Sequence, residues 1–170
     1  MLMFEDEAGF GRISSPAYCW CKKGIRPHTP CHHIREYQYA FGAVDPSKGE
    51  HFFLVLPCCN TSAMNEFLKE LSEEYPDRII LLVCDGASWH KSRALKTPEN
   101  IILSHIPPYT PEMNPIEQIW SEIRKRGFKN IAFKSLDAVV QKLCDVITNL
   151  SNGTVKNIIG RKWLDFAISN

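Results

Sequence analysis

The sequence predicts an α/β protein, a mixed sheet of about five strands flanked by helices. Three observations lead there. The first third holds short segments rich in aromatic and β-branched residues, separated by turn residues, as antiparallel strands are. The rest alternates amphipathic helical patterns with short apolar runs, as βα units with parallel strands do. At 170 residues, 44% hydrophobic and 23% charged, the chain is sized and composed to bury the core of one domain.

Residues 1–4 form a short apolar strand that runs into Glu5, Asp6 and Glu7. Gly9, Gly11, Ser14, Ser15 and Pro16 then read as a loop. Residues 18–20 can start a second strand, ending near Gly24 and Pro27. Residues 37–44 and 51–56 are strand-like and flank an Asp45-to-Gly49 turn, so they are expected to pair as a hairpin. Over residues 61–75, Met64, Phe67, Leu68 and Leu71 recur at helical spacing. Thr61 or Ser62 can cap that helix and Pro76 stops it. Residues 78–84 are a continuous apolar strand of the kind buried on both faces. A short helix, a second such strand at 100–106, and helices over 114–126, 135–150 and 155–168 complete the pattern.

Composition excludes several classes. The longest apolar run, residues 79–84, is far short of the roughly 20 residues a membrane span needs. The N-terminus has no basic region and meets acid at Glu5, so it is no signal peptide. Seven cysteines, an odd number with no C-x-x-C pair, read as reduced thiols in a cytoplasmic protein. Cys19, Cys21, Cys31, His32 and His33 fit no standard zinc spacing. Charge is uneven. Residues 1–120 carry 11 basic and 15 acidic side chains, whereas residues 121–170 carry 9 and 4. A basic tail on an acidic body suits either a polyanion partner or a solvated helical face.

Three carboxylates stand where chemistry gathers. Asp6 follows the first apolar run, Asp85 follows the run 79–84, and Glu117 sits in the first turn of the helix opened by Asn114 and Pro115. Ligands collect at strand ends in such sheets. Each acid also has a plain structural reading: Asp85 with Gly86 makes a turn, and Glu117 can close a capping box. If the three converge, an oxygen-only cluster suits Mg²⁺ or Mn²⁺ and two-metal phosphodiester chemistry.

The strings DEAGFG (6–11), DGASWHKS (85–92) and PPYTPEMNPIEQIW (107–120) resemble the three signature blocks of DDE transposases. The mariner-like superfamily, with its bacterial insertion-sequence branch, is the most similar. Residues 20–27 resemble that family's W-x-x-x-G-x-x-P strand. The most specific block is P-P-Y-S/T-P-x-x-N-P-I-E. The resemblance implies an RNase H-like fold and metal-dependent DNA cleavage and strand transfer. It maps the catalytic, metal-binding acids onto Asp6, Asp85 and Glu117, with two Mg²⁺ or Mn²⁺ ions per site. Glu7 and Glu112 fall inside matched blocks but not at metal-ligand positions. The 31 residues between Asp85 and Glu117 are slightly fewer than the family's usual spacing, and Gly86 stands where the family often has Asn.

Around these acids, His90, Lys91 and Arg93 are expected to contact phosphate, with a local hydrogen bond as the alternative for His90. Tyr109, between prolines, is a loop aromatic placed to touch DNA. Arg124, Lys125, Arg126 and Lys129 suit salt-sensitive, non-specific DNA binding. Ile116, Ile119, Trp120 and Ile123 read as core. The expected partners are transposon-end and target DNA, and a homodimer is admitted. No membrane and no small-molecule substrate are expected. The whole chain reads as one catalytic domain, its core about residues 1–130 and a basic helical part at 131–170. No helix-turn-helix pattern precedes Asp6, as in a cloned catalytic domain, part of a split reading frame or a decayed remnant. A nuclease that only hydrolyses, and a catalytically silent DNA-binding or dimerising remnant, are the alternatives.

Overall fold

The computed structural model describes residues 1–107 and 110–160. Its elements run β1 (Leu2–Gly11), β2 (Tyr37–Val44), β3 (His51–Leu56), α1 (Thr61–Glu74), β4 (Ile80–Cys84), β5 (Ile101–His105), α2 (Ile116–Gly127), α3 (Leu136–Thr148) and α4 (Asn152–Ile159). The five strands form one sheet in the order β3-β2-β1-β4-β5. β2 is antiparallel to β1 and β3, while β4 is parallel to β1 and β5. The hairpin is as expected, with Val44 opposite His51.

Strand alternation sends successive β1 side chains to opposite faces. Met3 joins Phe41, Ala43, Ile80 and Leu82 beneath Met64, Phe67, Leu68 and Leu71 of α1. Phe4, Ala8 and Phe10 join Ala40 and Val44 against Ile119, Trp120, Ile123, Leu143 and Val155 of the C-terminal helices. Each such side chain, fully buried, stabilises the fold by about 1.5–3 kcal/mol relative to exposure.

Several expectations are corrected. β1 is ten residues long and contains Gly9 and Gly11, because β2 pairs with it from Phe4 through Gly11. Gly11 serves close approach within the sheet: a Cβ there would lie 2.5 Å from the Glu36 carbonyl oxygen and from the Tyr37 ring. Residues 18–20 form no strand, and Tyr18 and Trp20 are fully exposed. The cap of α1 is Asn60, whose side chain accepts from the Ala63 N–H. Residues 85–100 make turns and no helix. β4 is not buried on both faces. Ile79, Leu81 and Ile102 are 66%, 40% and 54% exposed, because α2–α4 pack over β1 to β3 and leave this end of the sheet bare. The expected helix over 155–168 is α4, shifted toward the N-terminus, and residues 161–168 lie outside the described residues.

Candidate active site

The site arises from a mismatch in strand length. The parallel pairing of β1 with β4 covers only Leu2–Phe4 against Leu81–Val83. β4 ends at Cys84, while β1 continues to Gly11 on the strength of β2 alone. Asp6 therefore lies inside a strand, not at its end as the sequence suggested. Asp85 leaves β4 on the neighbouring position of the sheet.

The start of α2 is tied to the same stretch of β1. Asn114 is buried, and its side-chain amide donates to the Glu5 carbonyl at 2.8 Å. The Trp120 indole N–H donates to Asp6 Oδ2 at 3.0 Å. Opposite Asp6 in the sheet stands Gly42, where a Cβ would meet the Phe53 ring at 2.6 Å and Trp120 at 2.8 Å. Glycine at this position makes room for the indole. Glu117, one helical turn before Trp120, is exposed on α2. Burial, then the charge of Glu117, push the Asp6 carboxyl up to about 7, against hydrogen bonds from the Glu7 N–H and Trp120. The negative charge of Glu117 is thus felt at Asp6.

Asp85 is half exposed, and its Oδ1 accepts from the Ala87 N–H at 2.9 Å and lies 2.9 Å from His90 Nδ1. His90 itself is a correction. It is 2% exposed, so it cannot touch a DNA phosphate. Its Nε2 lies 3.0 Å from Glu7 Oε1 and 3.6 Å from Glu5 Oε2. Trp89 Nε1 donates to the same Glu7 oxygen at 2.7 Å. Burial works against a charged His90, but hydrogen bonds with Cys84 and Glu7 and the charges of Glu5 and Glu7 overcome it and push its pKa up to about 12. Glu5 is wholly buried, and neither side-chain oxygen has a hydrogen-bond partner. Burial, then the Glu7 charge, raise its pKa well above the usual carboxylate range.

Among the described residues, the group of three whose ligating atoms all lie within 4.8 Å of one another is Glu5, Cys84 and His90. The oxygens of Asp6, Asp85 and Glu117 are not gathered that tightly. Cys19, Cys21 and Cys31 are exposed.

The basic residues divide. A Cβ on Gly86 would lie 2.7 Å from Lys91 Nζ, so the ammonium stands beside the turn that carries Asp85. Arg93 and Lys129 are exposed. Arg124 lies 5.1 Å over the Phe10 ring and lines a pocket of about 140 Å³ with Gly9, Gly11, Tyr37 and Phe128. Lys125 and Arg126 are paired with Glu122 at 3.5 and 2.8 Å. Tyr109 lies outside the described residues. The core reading of Ile116, Ile119, Trp120 and Ile123 holds, since all are buried. Its omission was the polar end of Trp120. Asn114 and Glu7 were also missed as contributors to the site; E-D-E with opposite faces for alternate residues was the signal for Glu7.

Residues 1–140 match the family model described as DDE superfamily endonuclease. An uncharacterized protein of Sinorhizobium fredii (strain NBRC 101917 / NGR234), y4pE/y4sA, is 42% identical over 109 residues, 64% of this chain and 81% of that protein. A pre-cleavage Mos1 transpososome superposes with a TM-score of 0.73 at 15% identity, covering 93% of this chain and 51% of that one. The Mos1 transposase paired-end complex with left transposon end gives 0.69 at 14%, with the same coverage of both chains. The Mos1 mariner paired end complex with Mn gives 0.68 at 17%, again over 93% and 51%. The chain thus spans about half the length of these transposase chains and shares their RNase H-like fold. On the family match and this fold, the chain belongs to the DDE superfamily endonucleases.

Proposed function

We propose that this chain is the catalytic domain of a DNA transposase, cutting and rejoining phosphodiester bonds with Asp6, Asp85 and Glu117. One observation carries the reading. An acid from mid-strand β1 is pushed up to about 7, first by burial and then by the charge of an acid from the first turn of α2. Such an arrangement is unfavourable unless a cation is shared between them. The donor set fits Mg²⁺ or Mn²⁺: all three residues offer carboxylate oxygen, and both protein contacts of Asp85 fall on Oδ1, leaving Oδ2. The fold-related Mos1 paired end complexes with Mn and with Mg support the same ions here.

When bound, the metal supplies an activated water or hydroxyl and stabilises the leaving oxygen of the phosphodiester. Two ions per site complete that chemistry in this reading. Asp6, Asp85 and Glu117 hold the ions, and Trp120 orients Asp6. Lys91 and Arg124 bind phosphate oxygens beside the reacting group. In the first step water oxygen bonds to phosphorus and the 3′ oxygen leaves as a hydroxyl. In the second that hydroxyl attacks target DNA and displaces a new 3′ oxygen. Transposon-end and target DNA are the substrates, a homodimer is the working assembly, and the cytoplasm is the compartment. No helix among the described residues is long and apolar enough to cross a membrane.

The test is a strand-cleavage and joining assay on nicked and branched duplexes with Mn²⁺, Mg²⁺ or chelator. The reading expects metal-dependent cleavage followed by joined products, both lost in Asp85→Asn. Cleavage without joining would favour the purely hydrolytic nuclease. Equal products from wild type and Asp85→Asn would dismiss this site.

A further inference from the structure

We propose that His90 is a positioning residue for Asp85: clamped on Glu7, its ring holds Asp85 Oδ1 so that Oδ2 is left to take a divalent ion. The inference rests on the metal-site reading above. Asp85 follows the last residue of β4, in a segment of turns, and nearly half of its side chain is exposed. Such a carboxylate on a turn has no rotamer fixed by packing. Two contacts fix it instead, the Ala87 N–H and His90 Nδ1, both at 2.9 Å and both on Oδ1.

His90 can serve as a fixed point because its own ring is immobilised. The side chain has no solvent exposure, and Nε2 meets Glu7 at 3.0 Å. Glu7 is 5% exposed on β1 and is gripped in turn by the Trp89 indole at 2.7 Å. The second contact of the ring, Nδ1 to the Asp85 carbonyl at 3.2 Å, ties backbone as well as side chain. Ionised carboxylates only accept hydrogen bonds, so a ring lying between Glu7 and Asp85 presents N–H on both sides. A line of contacts thus runs from β1 through Glu7 and His90 to the acid just past β4, beside strands whose own pairing stops at Phe4 and Val83. Partners behind a ligating carboxylate of this kind typically change metal affinity about 10–100-fold when removed.

Two substitutions separate positioning from mere packing. His90→Asn places an amide N–H near the Nδ1 position and keeps a donor for Asp85. His90→Gln places it near the Nε2 position, keeping Glu7 and abandoning Asp85. Mn²⁺ binding is measured by calorimetry on wild type and both variants, with thermal melts in chelator alongside. The expected result is a Kd within about threefold of wild type for His90→Asn and weakened about tenfold or more for His90→Gln, at similar chelator melting temperatures. Equal Mn²⁺ affinity in both variants and wild type would overturn the positioning role while leaving the metal site standing. A wild type that binds no Mn²⁺ would overturn both.

Should neither His90 variant fold, Glu7 carries the test. Glu7→Gln keeps an acceptor for His90 and Trp89 and is expected to bind Mn²⁺ as wild type does. Glu7→Leu releases the ring and is expected to lose about tenfold, although the side chain at residue 7 is only 5% exposed. Unchanged affinity in Glu7→Leu would overturn the proposal.

Discussion

Trp120 and Asp6 are joined by a hydrogen bond of 3.0 Å between residues 114 positions apart in the chain. The indole is otherwise a core side chain, packed edge-on against Phe10 and Phe53 at centroid separations of 6.2 and 5.6 Å. One side chain therefore couples the packing of α2 on the sheet to the orientation of an acid in the candidate site.

Trp120→Phe keeps most of that packing and removes the donor. A hydrogen bond to a charged group is worth about 1.5–3 kcal/mol, and protonation of Asp6 reduces the loss to about 1 kcal/mol near neutral pH. The expected outcome in urea melts is a lower midpoint with unchanged slope, together with a weaker Mg²⁺ response. An unchanged midpoint at pH 8 would remove Trp120 from the account of the site.

Asp6 also sets a pH dependence. Its folded pKa, about 7, lies above the ordinary 3.8. Its contribution to stability is therefore whole below pH 3.8, declines above it, and is gone once the pH passes about 7. In chelator, melting temperature is expected to fall between pH 5 and pH 8 more steeply in wild type than in Asp6→Asn. With ~10 mM Mg²⁺ and a Kd of ~1 mM, binding at pH 8 restores about 1.4 kcal/mol. Identical pH profiles for wild type and Asp6→Asn would contradict the raised pKa.

Gly42→Ala tests the space behind the acid. The added Cβ would meet Phe53 and Trp120 at 2.6–2.8 Å; Trp120 is buried in the core and Phe53 is half-buried against it. Overpacking of this kind costs about 1–3 kcal/mol. Thermal unfolding should register that loss, and tryptophan fluorescence should shift as the indole is displaced. A neutral effect on both would mean that Trp120 has slack.

Non-specific DNA affinity should depend unequally on the basic residues of α2. Arg124 has no acidic partner among the described residues, whereas Lys125 and Arg126 share Glu122. Arg124→Ala is expected to flatten the salt dependence by about one unit, the contribution of one phosphate contact. Lys125→Ala should do less, and Glu122→Gln should tighten binding by freeing both cations. Filter binding across 50–200 mM salt resolves these slopes. Equal effects from Arg124→Ala and Lys125→Ala would show that the pairing with Glu122 does not matter.

Much of the fold was legible because its signals are local. The hairpin of β2 and β3 lies in the alternation and its turn, and α1 in the spacing of Met64, Phe67, Leu68 and Leu71. β1 was read too short because its acids interrupt the apolar pattern. Glu5 turns inward and is fully buried, Asp6 turns to a tryptophan, and only β2, 40 residues away at Val44↔Phe4, extends the strand through Gly11. The exposed patch of Ile79, Leu81 and Ile102 was invisible for the opposite reason: an apolar run says that residues avoid water, not which helix covers them.

At the site, the three acids could be nominated from the sequence because they stand in specific strings beside strand and helix signals. Their supports could not. His90 reads as a turn histidine, yet its burial depends on β1 lying beneath the turn. Asn114 reads as a cap, yet its amide bonds a carbonyl 109 residues upstream.

Those long separations also fix the order in which the protein becomes complete during synthesis. A growing chain gains Asp6 before Asp85, but both ties between β1 and α2, from Asn114 and Trp120, need residues from beyond the last strand. Closing a loop of more than a hundred residues comes late, after hairpin and crossover have formed their nearer contacts. A ribosome that stalls before α2 thus releases a sheet with two of its acids and no Glu117 opposite Asp6. In the proposed reading such incomplete chains cut no DNA, because α2 brings the third acid.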